Sequence, residues 1–191
     1  MIKQFDLLID GPGIVFFDPY VVAAFLSKRK LATTNLFQLF LDDPALGDEV
    51  ITQGIILPIY PIPSIDYQVI INNTGTSSVR PSWLRLTSPP LPLTVGQQGK
   101  LVVADMYALM EWDASFYQAV TDPGCLASQA ATALHPGQYK ALINGFVERE
   151  YEGRGPKNIG YELLLERVET LPLLPPAFES DSIDFALWHP A

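Results

Sequence analysis

The chain has one cysteine, Cys125, and two histidines, His135 and His189, in 191 residues. A lone cysteine excludes an intramolecular disulfide. Neither histidine has a second histidine or a cysteine at metal-ligand spacing, so a thiolate or imidazole metal centre has no support, and nothing pairs Cys125 with a base. Following Asp122-Pro123-Gly124, Cys125 reads as a small packed thiol in a turn. Long apolar runs are also missing. The richest stretch, Ile55 to Ile71, is interrupted by Pro58, Pro61 and Pro63, well short of the roughly 18 residues of a spanning helix. Positive charge is scarce, with 12 Lys and Arg against 21 Asp and Glu and a net charge of −9. Nucleic acid binding needs cations facing phosphates, so direct DNA or RNA binding is not expected. No Gly-x-Gly-x-x-Gly, phosphate-cradling Gly-Lys-Ser/Thr or Gly-x-Ser-x-Gly occurs, and no cofactor or catalytic residue is expected. The opening Met1-Ile2-Lys3-Gln4-Phe5-Asp6 places a carboxylate inside the apolar stretch, unlike a secretory signal, and the expected location is cytoplasmic.

What the chain does have is apolar material, 48% of residues, cut into short lengths by seventeen prolines and thirteen glycines. That pattern favours strands over long helices. Ile2 to Ile9 and Ile14 to Asp18 flank Asp10-Gly11-Pro12-Gly13 as a hairpin or tight strand connection. Pro19 to Lys30 fits a helix or a strand, and Thr34 to Leu41 reads as a strand followed by Asp42-Asp43-Pro44, which can open a turn or start a short helix. Gly54 to Tyr60, with its proline, fits an edge strand, Asp66 to Asn72 a half-buried one and Gly99 to Asp105 a buried one. Met106 to Val120 is the best helical candidate, while Ala127 to Leu134 is featureless. Gln138 to Arg149 and Ile159 to Glu169 form a long antiparallel hairpin across the charged segment 150–158. The expected fold is mainly β, an antiparallel β-sandwich with one or two short helices, as one domain over 1–176 followed by an acidic, aromatic tail at 177–191.

Carboxylates are the remaining chemistry. Asp42, Asp43, Asp48 and Glu49 crowd a segment without a base, read as a solvated acidic loop because it lacks the oxygen spacing of a calcium loop. In the tail, Glu179, Asp181 and Asp184 lie beside Phe178, Phe185 and Trp188. Such acids around aromatic anchors suit the basic cleft of a partner, although the same aromatics also suit packing of the tail on the sandwich. Pairs such as Glu148 with Glu150, or Glu162 with Glu166, have glycosidase-like chemistry, but strand alternation puts them on a wet sheet face. Gly153-Arg154-Gly155-Pro156-Lys157 falls between strands and reads as a hairpin loop, not a phosphate site.

Three stretches resemble the competence protein J family of bacteria, whose founding member inhibits a nuclease that acts as DNA enters the cell. They are Phe5-Asp6-Leu7-Leu8-Ile9 with Ile14-Val15-Phe16-Phe17-Asp18-Pro19, then Asp48 and Glu49 before Gln53-Gly54, and Pro136-Gly137-Gln138-Tyr139. The chain departs from the family pattern at Ile55-Ile56-Leu57-Pro58-Ile59. The resemblance implies a bacterial, non-enzymatic protein-binding module of nuclease-inhibitor or immunity type, with a basic protein such as a nuclease as partner. A homodimer through an apolar sheet face is a further expectation. The alternative is a small-molecule or carbohydrate-binding sandwich, with or without hydrolytic activity, with a pocket lined by Tyr67, Trp83 and Tyr139.

Overall fold

A computed structural model describes residues 1–122, 127–148, 158–174 and 183–187. In chain order the elements are β1 (Ile2–Leu8), β2 (Ile14–Phe17), α1 (Pro19–Arg29), α2 (Leu36–Asp42), α3 (Pro44–Thr52), β3 (Ile56–Ile59), β4 (Asp66–Asn72), β5 (Leu84–Thr87), β6 (Leu91–Val95), β7 (Lys100–Asp105), α4 (Tyr107–Met110), α5 (Ala114–Ala119), β8 (Gln129–Ala133), β9 (Gly137–Val147) and β10 (Ile159–Val168).

The strands make two sheets. In the larger, β1 pairs β4, β4 pairs β10 in parallel, and β10 pairs β9. The far edge of β9 is shared end to end by β5 and β6. Pro89 and Pro90 break that edge because neither has an N–H for the ladder. At the break the Ser88 hydroxyl accepts the Ile143 N–H at 2.9 Å. The smaller sheet runs β3-β2-β7-β8, antiparallel throughout.

Alternation assigns the two faces of the smaller sheet to different cores. Ile14, Phe16, Leu57, Ile59, Leu101 and Val103 face the larger sheet, where they meet Val69, Ile143, Tyr161 and Leu163. Val15, Phe17, Ile56, Val102 and Ala104 face the other way and are covered by helices through Val22, Leu36, Val50 and Trp112. The molecule is thus a β-sandwich with a helical layer on one side. Mainly β was expected and is what the chain forms; among the described residues five short helices stand where one or two were expected, because the smaller sheet is apolar on both faces and needs a second cover.

Several segments differ from their sequence reading. Thr34 to Leu41 is not a strand: Asn35 caps α2 by accepting the Gln38 N–H at 2.9 Å, and the run that follows has no β-branched residue to resist a helix. The acidic segment 42–49 is not a solvated loop; of the turn or short helix that Asp42-Asp43-Pro44 can begin it takes the helix, since Asp43 caps α3 and Pro44 sits in its first turn. Met106 to Val120 is helical in two pieces, split where Asp113 caps α5. Ala127 to Leu134 contains β8. The first two strands are joined tightly but lie in different sheets, so they are not a hairpin. The long hairpin is present as β9 and β10, in register from Ile159 opposite Val147 to Val168 opposite Gln138.

Two buried aspartates fasten the layers. Asp18 caps α1 and also accepts the Gly96 N–H at 2.9 Å. Asp105 accepts the N–H groups of Asp10, Gly11 and Tyr107 at 2.7, 2.8 and 2.9 Å, tying the β1–β2 turn to the end of β7. Gly160 lets β10 approach β4, since a Cβ there would lie 1.9 Å from the Gln68 carbonyl oxygen.

Candidate functional site

The helical layer carries a groove of about 260 Å³ between α2, α3, α4 and the β3 edge, lined by Phe37, Phe40, Leu41, Ile51, Pro58 and Tyr60 among others. Its origin is the composition of α2. Five of its seven residues are Leu or Phe, yet only Leu36 is buried. Phe37, Leu39 and Phe40 are half-buried, and Leu41 is 59% exposed. Phe37, Leu39 and Phe40 pack in part against the helical-layer core, and their open sides together with Leu41 form an apolar strip of the kind contact surfaces use.

One carboxylate, Asp48, lines this groove, and Asp42 and Asp43 lie in sequence between two lining residues, Leu41 and Pro44. All three are exposed. Asp42 accepts from the Gln38 side chain at 2.8 Å and Asp43 from the Leu46 N–H at 3.1 Å, bonds that hold the carboxylates in place and leave their charge unneutralised. Among the described residues no cation lines the groove. Glu49, the fourth acid of the sequence cluster, behaves differently. It is half-buried and hydrogen-bonded to the Arg29 guanidinium, which holds its carboxyl below the usual range, and it also accepts from Gln53 at 2.7 Å. Its charge is committed to α1 and faces a second cleft of about 480 Å³, lined by Phe25, Lys28, Gln53, Thr94 and Gln138 among others.

The least expected carboxylate is Glu162, on the outer face of the larger sheet. The wet sheet face assigned to it from the sequence is wrong, for the side chain is 0% exposed. One oxygen accepts from the Asn72 amide at 2.8 Å and from the Ser78 N–H and hydroxyl, both at 2.7 Å. The other accepts from the Ser77 hydroxyl at 2.5 Å and the Asn144 amide at 2.9 Å. Burial alone would raise its pKa; the bonds from Asn72, Ser77, Ser78 and Asn144 outweigh it and bring the carboxyl below its ordinary value. The site is a clasp that pins the segment after β4 onto the sheet. Glu166 is exposed and paired with Lys140. Glu148 accepts from Asn158, and Glu150 lies outside the described residues. Glu162, bonded to its five donors, and Glu166, paired with Lys140, are not two free carboxylates facing one space.

The remaining sequence candidates are dispersed. Asp184 is exposed and accepts the Ala186 N–H at 2.9 Å, whereas Phe185 is 1% exposed, in the sandwich core under the Tyr161 hydroxyl, which donates to its carbonyl at 2.6 Å. Asp184 is therefore not in the layer that carries the acidic groove. Phe178, Glu179, Asp181, Trp188, Cys125 and His189, with the loop 153–157, lie outside the described residues. Tyr67 and Tyr139 are buried in the sandwich core, their hydroxyls donating to the Pro63 and His135 carbonyls, while Trp83 is half-buried beneath Arg80. Neither of the two described pockets is lined by any of the three. Among the described residues no group of three or more His, Cys, Asp or Glu is placed to hold a metal ion, and no helix is long and apolar enough to cross a membrane.

No protein-family model matches the chain, and no curated protein matches it in sequence. Among solved structures it is similar to crocagin biosynthetic gene J, at 12% identity and a TM-score of 0.46 over 87% of this chain and 98% of the other. It is also similar to ComJ from Bacillus subtilis, an inhibitor of the DNA degrading activity of NucA, at 12% identity and a TM-score of 0.48 over 88% of this chain and 99% of the other. The family that the sequence motifs resemble is thus among the solved structures to which this chain is similar.

Proposed function

We propose that the chain is a non-enzymatic protein-binding module whose α2–α3 corner docks a positively charged protein, with a nuclease as the partner that the sequence resemblance implies. The observation that carries this reading is the groove at α2, where Leu41 is exposed and Phe37 and Phe40 are only half-buried, with the exposed Asp48 in its lining, the exposed Asp42 and Asp43 next to Leu41 in sequence, and no cation lining it among the described residues. Apolar anchors supply contact area, and the surrounding carboxylates steer a basic partner into register. The chain as bait in a cell extract is expected to recover a basic protein at low salt and lose it at high salt. With that protein, the double variant Asp42→Asn, Asp48→Asn is expected to associate several-fold more slowly at low salt and fold normally, since neither side chain is buried. Unchanged association rates at low salt would remove the corner from the interface.

A second reading, small-molecule binding, is favoured by the cleft beside Lys28, Gln53 and Gln138, whose volume of about 480 Å³ is that of a ligand pocket. Recovery of nothing but the chain itself, together with a thermal shift on ligand screening, would favour it.

A further inference from the structure

We infer that the groove takes an amphipathic helix of the partner, apolar along one face and basic on its flanks; the inference rests on the protein-binding reading above. The groove's own wall argues against strand addition. β3 is the edge strand there, only four residues long, and one of them, Pro58, lines the groove and has no N–H to offer an incoming strand. A row of large side chains on α2, spaced as Phe37, Phe40 and Leu41, is instead the surface against which a second helix packs ridge into groove. The volume, about 260 Å³, lies below the roughly 300–1,000 Å³ of pockets that enclose small molecules, and suits a few anchoring side chains inserted from outside.

Charge selects among occupants. A second copy of this chain would bring another net −9 to a groove lined by Asp48, with Asp42 and Asp43 next to it in sequence. The chain's own described C-terminal stretch, 183–187, is engaged elsewhere through Phe185. A partner helix with Lys or Arg flanking a Leu or Phe stripe satisfies both the apolar floor and the acidic rim.

The test is fluorescence anisotropy of the intact chain with a labelled peptide of about 15 residues carrying Leu at helical i, i+3, i+4 and i+7 spacing and Lys elsewhere. A peptide of the same composition with its Leu residues scattered is the control. The amphipathic peptide is expected to bind at least about tenfold more tightly than the scattered one, and Leu41→Gln, at an exposed position, to abolish that preference. Equal binding of both peptides, no binding of either, or a preference untouched by Leu41→Gln would overturn the inference. So would self-association of the chain that Leu41→Gln abolishes, which would place a second copy in the groove. The two readings separate in the extract experiment. A Leu41→Gln chain that still captures the basic partner, in a salt-sensitive way, leaves the protein-binding function standing and removes the helix-in-groove contact; a wild-type chain that captures no basic protein removes the function.

Discussion

Replacing Glu162 by Gln is expected to lower the unfolding free energy by about 2–3 kcal/mol, although the new side chain has the same shape. Five donors converge on the two carboxylate oxygens. Gln offers one acceptor oxygen and turns an N–H₂ group toward the amide of Asn72 or of Asn144, both buried, which then has no acceptor. The same bonds give wild-type stability a pH dependence of definite sign. The folded-state pKa of Glu162 lies below the ordinary value of 4.5. Between the two values the unfolded chain binds more protons than the folded one, so the contribution is complete above the ordinary value and is lost as pH falls through the folded one. The variant lacks that component, and urea midpoints measured at neutral pH and down through the acid range are expected to converge for the two chains. Equal stability at neutral pH would mean that the clasp does not hold the segment after β4.

Phe185→Ala is expected to cost about 3 kcal/mol, an effect of core size from a residue near the C-terminal end. The ring belongs to the sandwich core and is 1% exposed. Its carbonyl takes the hydrogen bond of Tyr161, whose burial pushes the phenol pKa upward and leaves no room for an unbonded hydroxyl. Removing the ring opens a cavity between the sheets, where Tyr67 stacks tilted on Tyr161 at 5.4 Å. Urea denaturation with an unchanged slope and a lower midpoint is the expected signature. A loss under about 0.5 kcal/mol, as for a surface substitution, would mean that this stretch is docked too weakly to count as core.

The strands were legible where burial has a simple period. β4, β9 and β10 were readable as apolar runs bounded by turn residues, and β7 as a strand apolar on both faces, because the smaller sheet is covered on both sides. α2 was misread because its residues are apolar at every position except Gln38 and Asp42, which leaves neither a helical nor a strand period to detect. The available signal was local: Asn35 as a cap and a run of Leu and Phe without β-branching. β8 carries only Gln, Ala and Thr, and pairing with β7, not its own propensity, makes it a strand.

The acidic cluster was legible as composition but not as geometry. That Glu49 is neutralised by Arg29, twenty residues earlier, depends on α1 and α3 lying side by side. Nor could Glu162 be read as buried, since its donors Ser77 and Ser78 come from more than eighty residues away. The signal that was present is a polar residue set against an apolar run in each strand: Asn72 after Val69-Ile70-Ile71, Asn144 after Ala141-Leu142-Ile143, and Glu162 before Leu163-Leu164-Leu165.

Hydrogen exchange of the chain, alone and saturated with the basic protein it captures, tests the central claim most directly. Slowed exchange concentrated in the backbone of α2 and α3, between Leu36 and Thr52, is the predicted result. Protection confined to the larger sheet or to the cleft beside Lys28, with 36–52 unchanged, would contradict the assignment of the acidic groove as the binding surface.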